Sequence, residues 1–168
     1  MANFDSKHVK NVVLVGHTGS GKTTLTESML FEAGLINRRG TILDKNTVAD
    51  YTDIEHEKGK TFFSKLVYTK WKDYKINLLD TPGYDDFAGE IIGAMRVADC
   101  GLMLLNSAMG VEVGTDIIWT YTDEYKLPML LAVNHLDNEK SDFDKTVREA
   151  KAHFGNNVVV VQYPVNQG

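Results

Sequence analysis

The stretch "GHTGSGKT", Gly16 to Thr23, sets glycines, a lysine and a hydroxyl residue in the pattern G-x-x-x-x-G-K-[ST]. That pattern suits a polyphosphate. Glycines let successive backbone N–H groups converge on phosphate oxygens, and a helix beginning there adds the positive end of its dipole. His17, Thr18, Gly19, Ser20 and Gly21 would form the cradle, with Thr24 beside it. Lys22 would reach the β and γ phosphates, and Thr23 would offer its hydroxyl to magnesium. A glycine-rich turn without chemistry would not require Lys and Thr at those positions. A second element, "DTPG", Asp80 to Gly83, supplies a carboxylate that can hold a magnesium-bound water and a Gly83 amide that can meet a γ-phosphate. In isolation Asp-Thr-Pro-Gly would mean only a turn. A third, "AVNHLD", Ala132 to Asp137, places Asn134, His135 and Asp137 after an apolar run. The Asp137 carboxylate can accept from both N1–H and N2–H of guanine. Adenine offers an acceptor at N1 and would leave the carboxylate unpaired, so the pair favours GTP or GDP. Otherwise, Asn134 and Asp137 would do no more than cap the following turn.

The elements needed to hold these groups alternate along the whole chain, without repeat, low-complexity tract or Gly/Ser linker. Strand-like and helix-like periods in alternation imply an α/β domain with a mostly parallel sheet. "NVVLVG" reads as a buried strand, followed by the phosphate loop and a helix with Leu25, Met29 and Ala33 on one face. Arg38 to Lys60 is polar, aperiodic and longer than an ordinary connection, and loops of that kind are usually functional or mobile. "TFFSKLVYTKW" and "YKINLLD" flank the turn "KD" and predict one antiparallel hairpin in an otherwise parallel sheet. Phe87, Ile91, Ala94 and Ala98 follow helical spacing. "CGLMLLN" and "PMLLAVN" predict buried strands around a helix carrying Val113, Ile117 and Tyr121. Phe143, Val147, Ala150 and Phe154 mark a last helix, and "NNVVVVQYPVNQG" reads as strand.

Composition narrows the class. A chain of 168 residues with 43% hydrophobic content can bury one core without disulfides. The lone Cys100 lies in an apolar run and is expected to be a buried core thiol, which fits a reducing compartment. The N-terminus has no secretory pattern and no apolar run has spanning length, so a cytoplasmic protein with no membrane partner is expected. The net charge of −5 argues against a broadly basic nucleic-acid face, and no DNA partner is expected. The balance is uneven: through Lys75, 12 basic against 9 acidic residues give +3, and thereafter 6 against 14 give −8. Any RNA contact would come from the first half. The histidines share no ligand spacing, which excludes a zinc site as an expectation.

With these motifs in order, the chain resembles the nucleotide-binding domain of translational GTPases, elongation factor G above all. "GHTGSGKTTLTE", "EHEKGKTFFS", "NLLDTPGYDDFAGE" and "AVNHLD" look like that family's phosphate loop, first switch, second switch and guanine box. The resemblance implies a P-loop GTPase fold with helices on both faces of the sheet, GTP/GDP and Mg2+ as ligands, and the ribosome as partner of the full-length protein. It makes Thr61 the first-switch threonine, joining Thr23 and Asp80 at magnesium, and counts Tyr84, Lys22, Thr61 and Gly83 as the catalytic set. It also implies that residues 1–168 form a G domain ending before its final strand and Ser-Ala box, with GDP binding weakened accordingly.

Departures from the family pattern stand out at five residues. Gly19 takes the place of an aspartate. Lys60 and Thr18 take the place of apolar residues at the gate beside the nucleophilic water. His135 replaces the lysine of N-K-x-D, and Tyr84 replaces the water-positioning histidine. Tyr84 is similar to what divergent elongation factor G-like paralogues carry, and weakened hydrolysis is expected of it. Lys60 is expected to be solvated on a mobile segment. Two rival readings are a switch module that holds GTP with little hydrolysis, and the G domain of a ribosome-protection factor.

Overall fold

The computed structural model describes residues 4–165. At its centre is β1 (Val9–Val15), whose Val13, Leu14 and Val15 are wholly buried. A strand covered on both faces needs apolar side chains at successive positions, which is why this run does not alternate. The sheet order is β2-β3-β1-β4-β5, with β2 spanning Lys65–Trp71, β3 Tyr74–Asp80, β4 Cys100–Asn106 and β5 Met129–Asn134. β1 runs parallel to β3, with Val12 opposite Leu78 and Leu14 opposite Asp80, and parallel to β4 on its other side. β4 and β5 are also parallel. β2 alone is antiparallel, joined to β3 through Lys72 and Asp73, with Lys72 in the left-handed region at φ 53.

Helices cover both faces. α1 (Lys22–Glu32) lays Leu25 and Met29 over Leu14, Leu78 and Leu104. α3 (Ala88–Met95), α4 (Val113–Tyr125) and α5 (Phe143–Phe154) cover the opposite face, where Ile91, Met95, Ile118, Ala150 and Phe154 close over Val13, Val15, Met103 and Leu105. The expected sheet, its antiparallel hairpin and its two helical layers are all present. Because β1, β3, β4 and β5 point the same way, their carboxyl ends bring Gly16, Asp80, Asn106 and Asn134 to one rim, where open parallel sheets bind ligands.

Several expectations need correction. Of the run after α5, the described residues 155–165 form no strand; Val159 and Val161 are exposed at 74% and 80%, while Val158 packs on the core and Tyr163 packs against Phe143. The last three residues of that run lie outside the described residues. The Arg38 to Lys60 segment is not featureless but carries α2 (Asp53–Lys58). The hairpin strand begins at Lys65 rather than Thr61. On α4, Ile118 and Thr122 are buried while Val113 is 73% exposed, so the inward stripe sits one position later than the apolar spacing implied. Cys100 is half-buried at the start of β4, and burial together with Asp99 pushes its thiol pKa up.

Candidate functional site

The phosphate loop leaves β1 at Gly16 and enters α1 at Lys22. Gly21, the residue before α1, has φ 98, and a Cβ there would run into the Asn134 side chain; glycine serves both the left-handed backbone and the close approach. Lys22 is buried, and its ammonium donates to the carbonyls of Gly16 at 2.7 Å and His17 at 3.1 Å. Burial pulls its pKa down to about 8, against the opposing pull of Asp80, Asp50 and Glu112. Ser20 is buried with its hydroxyl unpartnered, as is Nδ1 of His17, while His17 Nε2 stands 3.5 Å from Glu112. A cradle of buried donors held by its own backbone carbonyls suits an anion that would replace those weak partners.

Asp80, the last residue of β3, is wholly buried, and neither carboxylate oxygen has a hydrogen-bond partner. Burial pushes its pKa up to about 7, although the nearby Thr23 hydroxyl and Lys22 ammonium favour the charged form. An orphaned buried carboxylate is costly unless a cation or water satisfies it. Thr23 Oγ lies 3.1 Å from Thr61 Oγ, and Thr61 donates to Asp50 at 3.1 Å, so Thr23 is the donor to Thr61. Two hydroxyls and an unpartnered carboxylate form the hard-oxygen donor set that Mg2+ takes, usually with retained waters. The residues present therefore fit the metal.

Gly83 presses on the phosphate loop: a Cβ there would stand 2.6 Å from the Thr18 amide and 2.7 Å from the Lys22 ammonium. Tyr84 follows at the mouth. Lys60 is exposed, as expected, but its ammonium also sits 4.5 Å from the centre of the Tyr84 ring. Lys60, and after it Thr18, hold the pKa of the phenol below the usual tyrosine range.

On the far side of the loop, β5 delivers Asn134, whose amide donates to the Ser20 carbonyl at 2.9 Å. His135, in the left-handed region at φ 60, places Nε2 3.0 Å from the Gly19 carbonyl, which requires the proton on that nitrogen. The Ser107 hydroxyl holds the His135 carbonyl at 2.7 Å. Asp137 is exposed on the next turn.

Sequence reasoning missed a buried polar frame behind the first switch. Glu27, wholly buried on α1, accepts from the amides of Gly40 and Val48. Glu55 accepts from the Phe62 and Phe63 amides and from Lys65, whose ammonium lies 3.0 Å away. Burial works to raise the Glu55 pKa, and bonds from Thr52, Phe62, Lys65 and Phe63 outweigh it, leaving it below the ordinary value. One signal was readable: Thr52-x-x-Glu55 is a capping box, and both its reciprocal bonds form. Nothing in the local sequence marks Glu27 or Asp50.

Residues 7–167 match the family described as elongation factor Tu GTP binding domain. Ribosome-releasing factor 2, mitochondrial, of Drosophila yakuba is 41% identical over 160 residues, covering 95% of this chain and 22% of that protein. The elongation factor G-like protein of Thermotoga maritima is 36% identical over 159 residues, with the same shares covered. A crystal structure of a protein from Thermus thermophilus superposes with a TM-score of 0.85 at 36% identity, over 88% of this chain and 22% of that one. The chain thus spans about a fifth of the length of each of these relatives. With the phosphate loop, Asp80 and the Asn134 turn gathered on one rim of a P-loop GTPase fold, the chain belongs to the elongation factor Tu GTP-binding domain family.

Proposed function

We propose that this chain is the GTP-binding switch domain of an elongation factor G-like translational GTPase, working with Mg2+ and acting on the ribosome through the protein that carries it. The observation that carries the reading is the juxtaposition of a buried, unpartnered Asp80 with the Thr23–Thr61 hydroxyl pair beside the phosphate loop. Thr23, Thr61 and Asp80 would hold the metal, which supplies charge neutralisation at the β and γ phosphates when bound. Lys22, Gly83 and the amides of His17 to Thr24 would bind the phosphates, and Asn134, His135 and Asp137 the base. Thr61 closes on Thr23 only while the first switch is folded over the loop, so phosphate and metal contacts there couple nucleotide state to loop order.

The names of the fly relatives favour ribosome release as the step served, in whichever compartment, cytoplasm or mitochondrion, the ribosomes lie. A module that holds GTP with little hydrolysis is a second reading, favoured by Tyr84 standing where the family has histidine. Calorimetry with GDP, GTP, ADP and ATP, with and without Mg2+, followed by single-turnover hydrolysis with and without ribosomes, tests both. Binding of GDP with no preference over ADP sinks the guanine assignment. Ribosome-stimulated hydrolysis removes the passive module.

A further inference from the structure

Thr18, Lys60 and Tyr84 are far apart in the chain, and each departs from the family pattern at a different motif. In the structure they come together. The Lys60 ammonium stands 4.5 Å from the Tyr84 ring centre, and Thr18 joins it in lowering the pKa of the same phenol. Both ends of the arrangement are fixed. Lys60 lies between Gly59, which closes α2 at φ 62, and Thr61, whose hydroxyl is tied to Thr23 and Asp50. Tyr84 follows Gly83, packed on Thr18, and its carbonyl accepts from the Phe87 amide at 3.1 Å to start the next turn. A lysine on a solvated loop would not be held over a ring by anchors on both sides of the contact.

We propose that Lys60 and Tyr84 act as one unit over the phosphate loop: Tyr84 donates its phenolic hydrogen bond to the reacting phosphate, and Lys60 is the positioning residue whose charge strengthens that donor. This rests on the GTPase reading above. An ammonium held over a phenol ring draws electron density from it and makes its O–H a stronger donor. In hydrolysis the water oxygen forms a bond to the γ-phosphorus as the bond to the β–γ bridging oxygen breaks. That oxygen keeps the electron pair on GDP, and the water proton passes to a phosphate oxygen. Tyr84 keeps its proton throughout and stabilises the charge that spreads over the γ-phosphate oxygens. The cation that an imidazole would place at this point is thereby supplied from the first switch, so hydrolysis requires that switch to be closed.

The test has two readouts. The first is the ultraviolet titration of tyrosinate in the 168-residue chain, which has 7 tyrosines; subtracting the Tyr84→Phe curve isolates Tyr84. Lys60→Met, which keeps the stem and removes the charge, should move the Tyr84 step to higher pH, and Lys60→Arg should return it most of the way. The second is single-turnover GTP hydrolysis at saturating GTP. Lys60→Met should slow it by about tenfold or more, and Tyr84→Phe by about a hundredfold. In the Tyr84→Phe background, Lys60→Met should cost less than about twofold, because the two act together. An unmoved Tyr84 step in Lys60→Met overturns the proposal, as does an equal slowing by Lys60→Met in both backgrounds. Failure of the chain to bind GTP would sink the GTPase reading and leave the titration readable, which separates the two failures.

Discussion

On the switch side of the phosphate loop, Glu27, Asp50, Glu55, Lys65 and Asp80 are all buried; each except Asp80 has a partner in the chain, although one oxygen of Asp50 is also unpartnered. On the base side, Asp137 is exposed, Leu130 of β5 is 61% exposed, and a cavity of about 550 Å³ opens between β5, α5 and residues 157–164. That cavity is lined largely by apolar side chains, yet it carries none of the chemistry. The difference teaches where each half of the site gets its precision. The switch side is organised by buried charges that must be satisfied, a high-stakes arrangement in which one free carboxylate points to a cation. The base side is organised by backbone reach: Asn134 and His135 lean on the loop's carbonyls, and Asp137 stands ready without support.

The largest expected break in this contrast is at Lys22. Lys22→Met removes several charge-assisted bonds to phosphate at once, and GDP affinity should fall on the order of 10³-fold. Calorimetry checks it; a loss under about tenfold would mean that the buried ammonium serves only the loop's own carbonyls.

The next effect is on stability and concerns Asp80. Its pKa is raised from 3.8 to about 7, so the folded state keeps a proton that the unfolded chain has already released. The unliganded fold should therefore lose stability as pH rises between those values, with the full loss present above the upper one. Asp50, raised in the same direction, adds to the slope, while Glu55, lowered, acts only at more acid pH. Asp80→Asn should flatten the slope and stabilise the unliganded chain by a few kcal/mol, roughly, near neutral pH. Urea unfolding between pH 5 and 7 measures this, and parallel pH curves for the two proteins would refute it.

Asp137 should come third. Asp137→Asn is expected to weaken GDP by about 10- to 100-fold and to favour XDP, whose added carbonyl accepts from the new amide. An unchanged ratio of GDP to XDP affinity would reduce this side of the site to a capped turn. No stability change is expected, since Asp137 is exposed.

The same contrast explains what was legible beforehand. The phosphate loop, "DTPG" and "AVNHLD" are short, contiguous and tied to strand ends, so pattern alone placed Lys22, Thr23, Asp80, Gly83 and Asn134 on one rim. Strands β1, β4 and β5 were readable because burial on both faces demands apolar runs. The Lys60 contact was not readable, because it depends on Gly59 ending a helix inside a segment with no hydrophobic period. Glu27 was hidden for a related reason: a glutamate on a helix next to the phosphate loop looks solvated until the loop it anchors is folded over it. The valine-rich tail misled because β propensity cannot make a strand where no ladder partner is hydrogen-bonded.

The smallest effect tests whether the switch side is as self-supporting as its bonds imply. Thr52 caps α2: its hydroxyl accepts from the Glu55 amide at 3.4 Å and donates to the Glu55 carboxylate at 2.6 Å. Removing the hydroxyl in Thr52→Ala should cost about 1 kcal/mol, the usual size of a lost N-cap. Glu55 would still be held by the Phe62 and Phe63 amides and by Lys65, so the loss should stay local. Amide exchange at Phe62 and Phe63 should quicken by about fivefold, while Val13 and Leu14 in β1 keep their protection. Acid should act on the same latch. Because the folded Glu55 pKa is lowered, its contribution is complete above the ordinary glutamate value and is lost as pH falls through the folded one. Thr61 sits between this latch and Thr23, so GTP-dependent order in the first switch should weaken with Thr52→Ala before phosphate binding does. Equal quickening of exchange in β1 would show that the switch frame and the sheet open as one unit, and the contrast between the two sides of the loop would then describe burial alone.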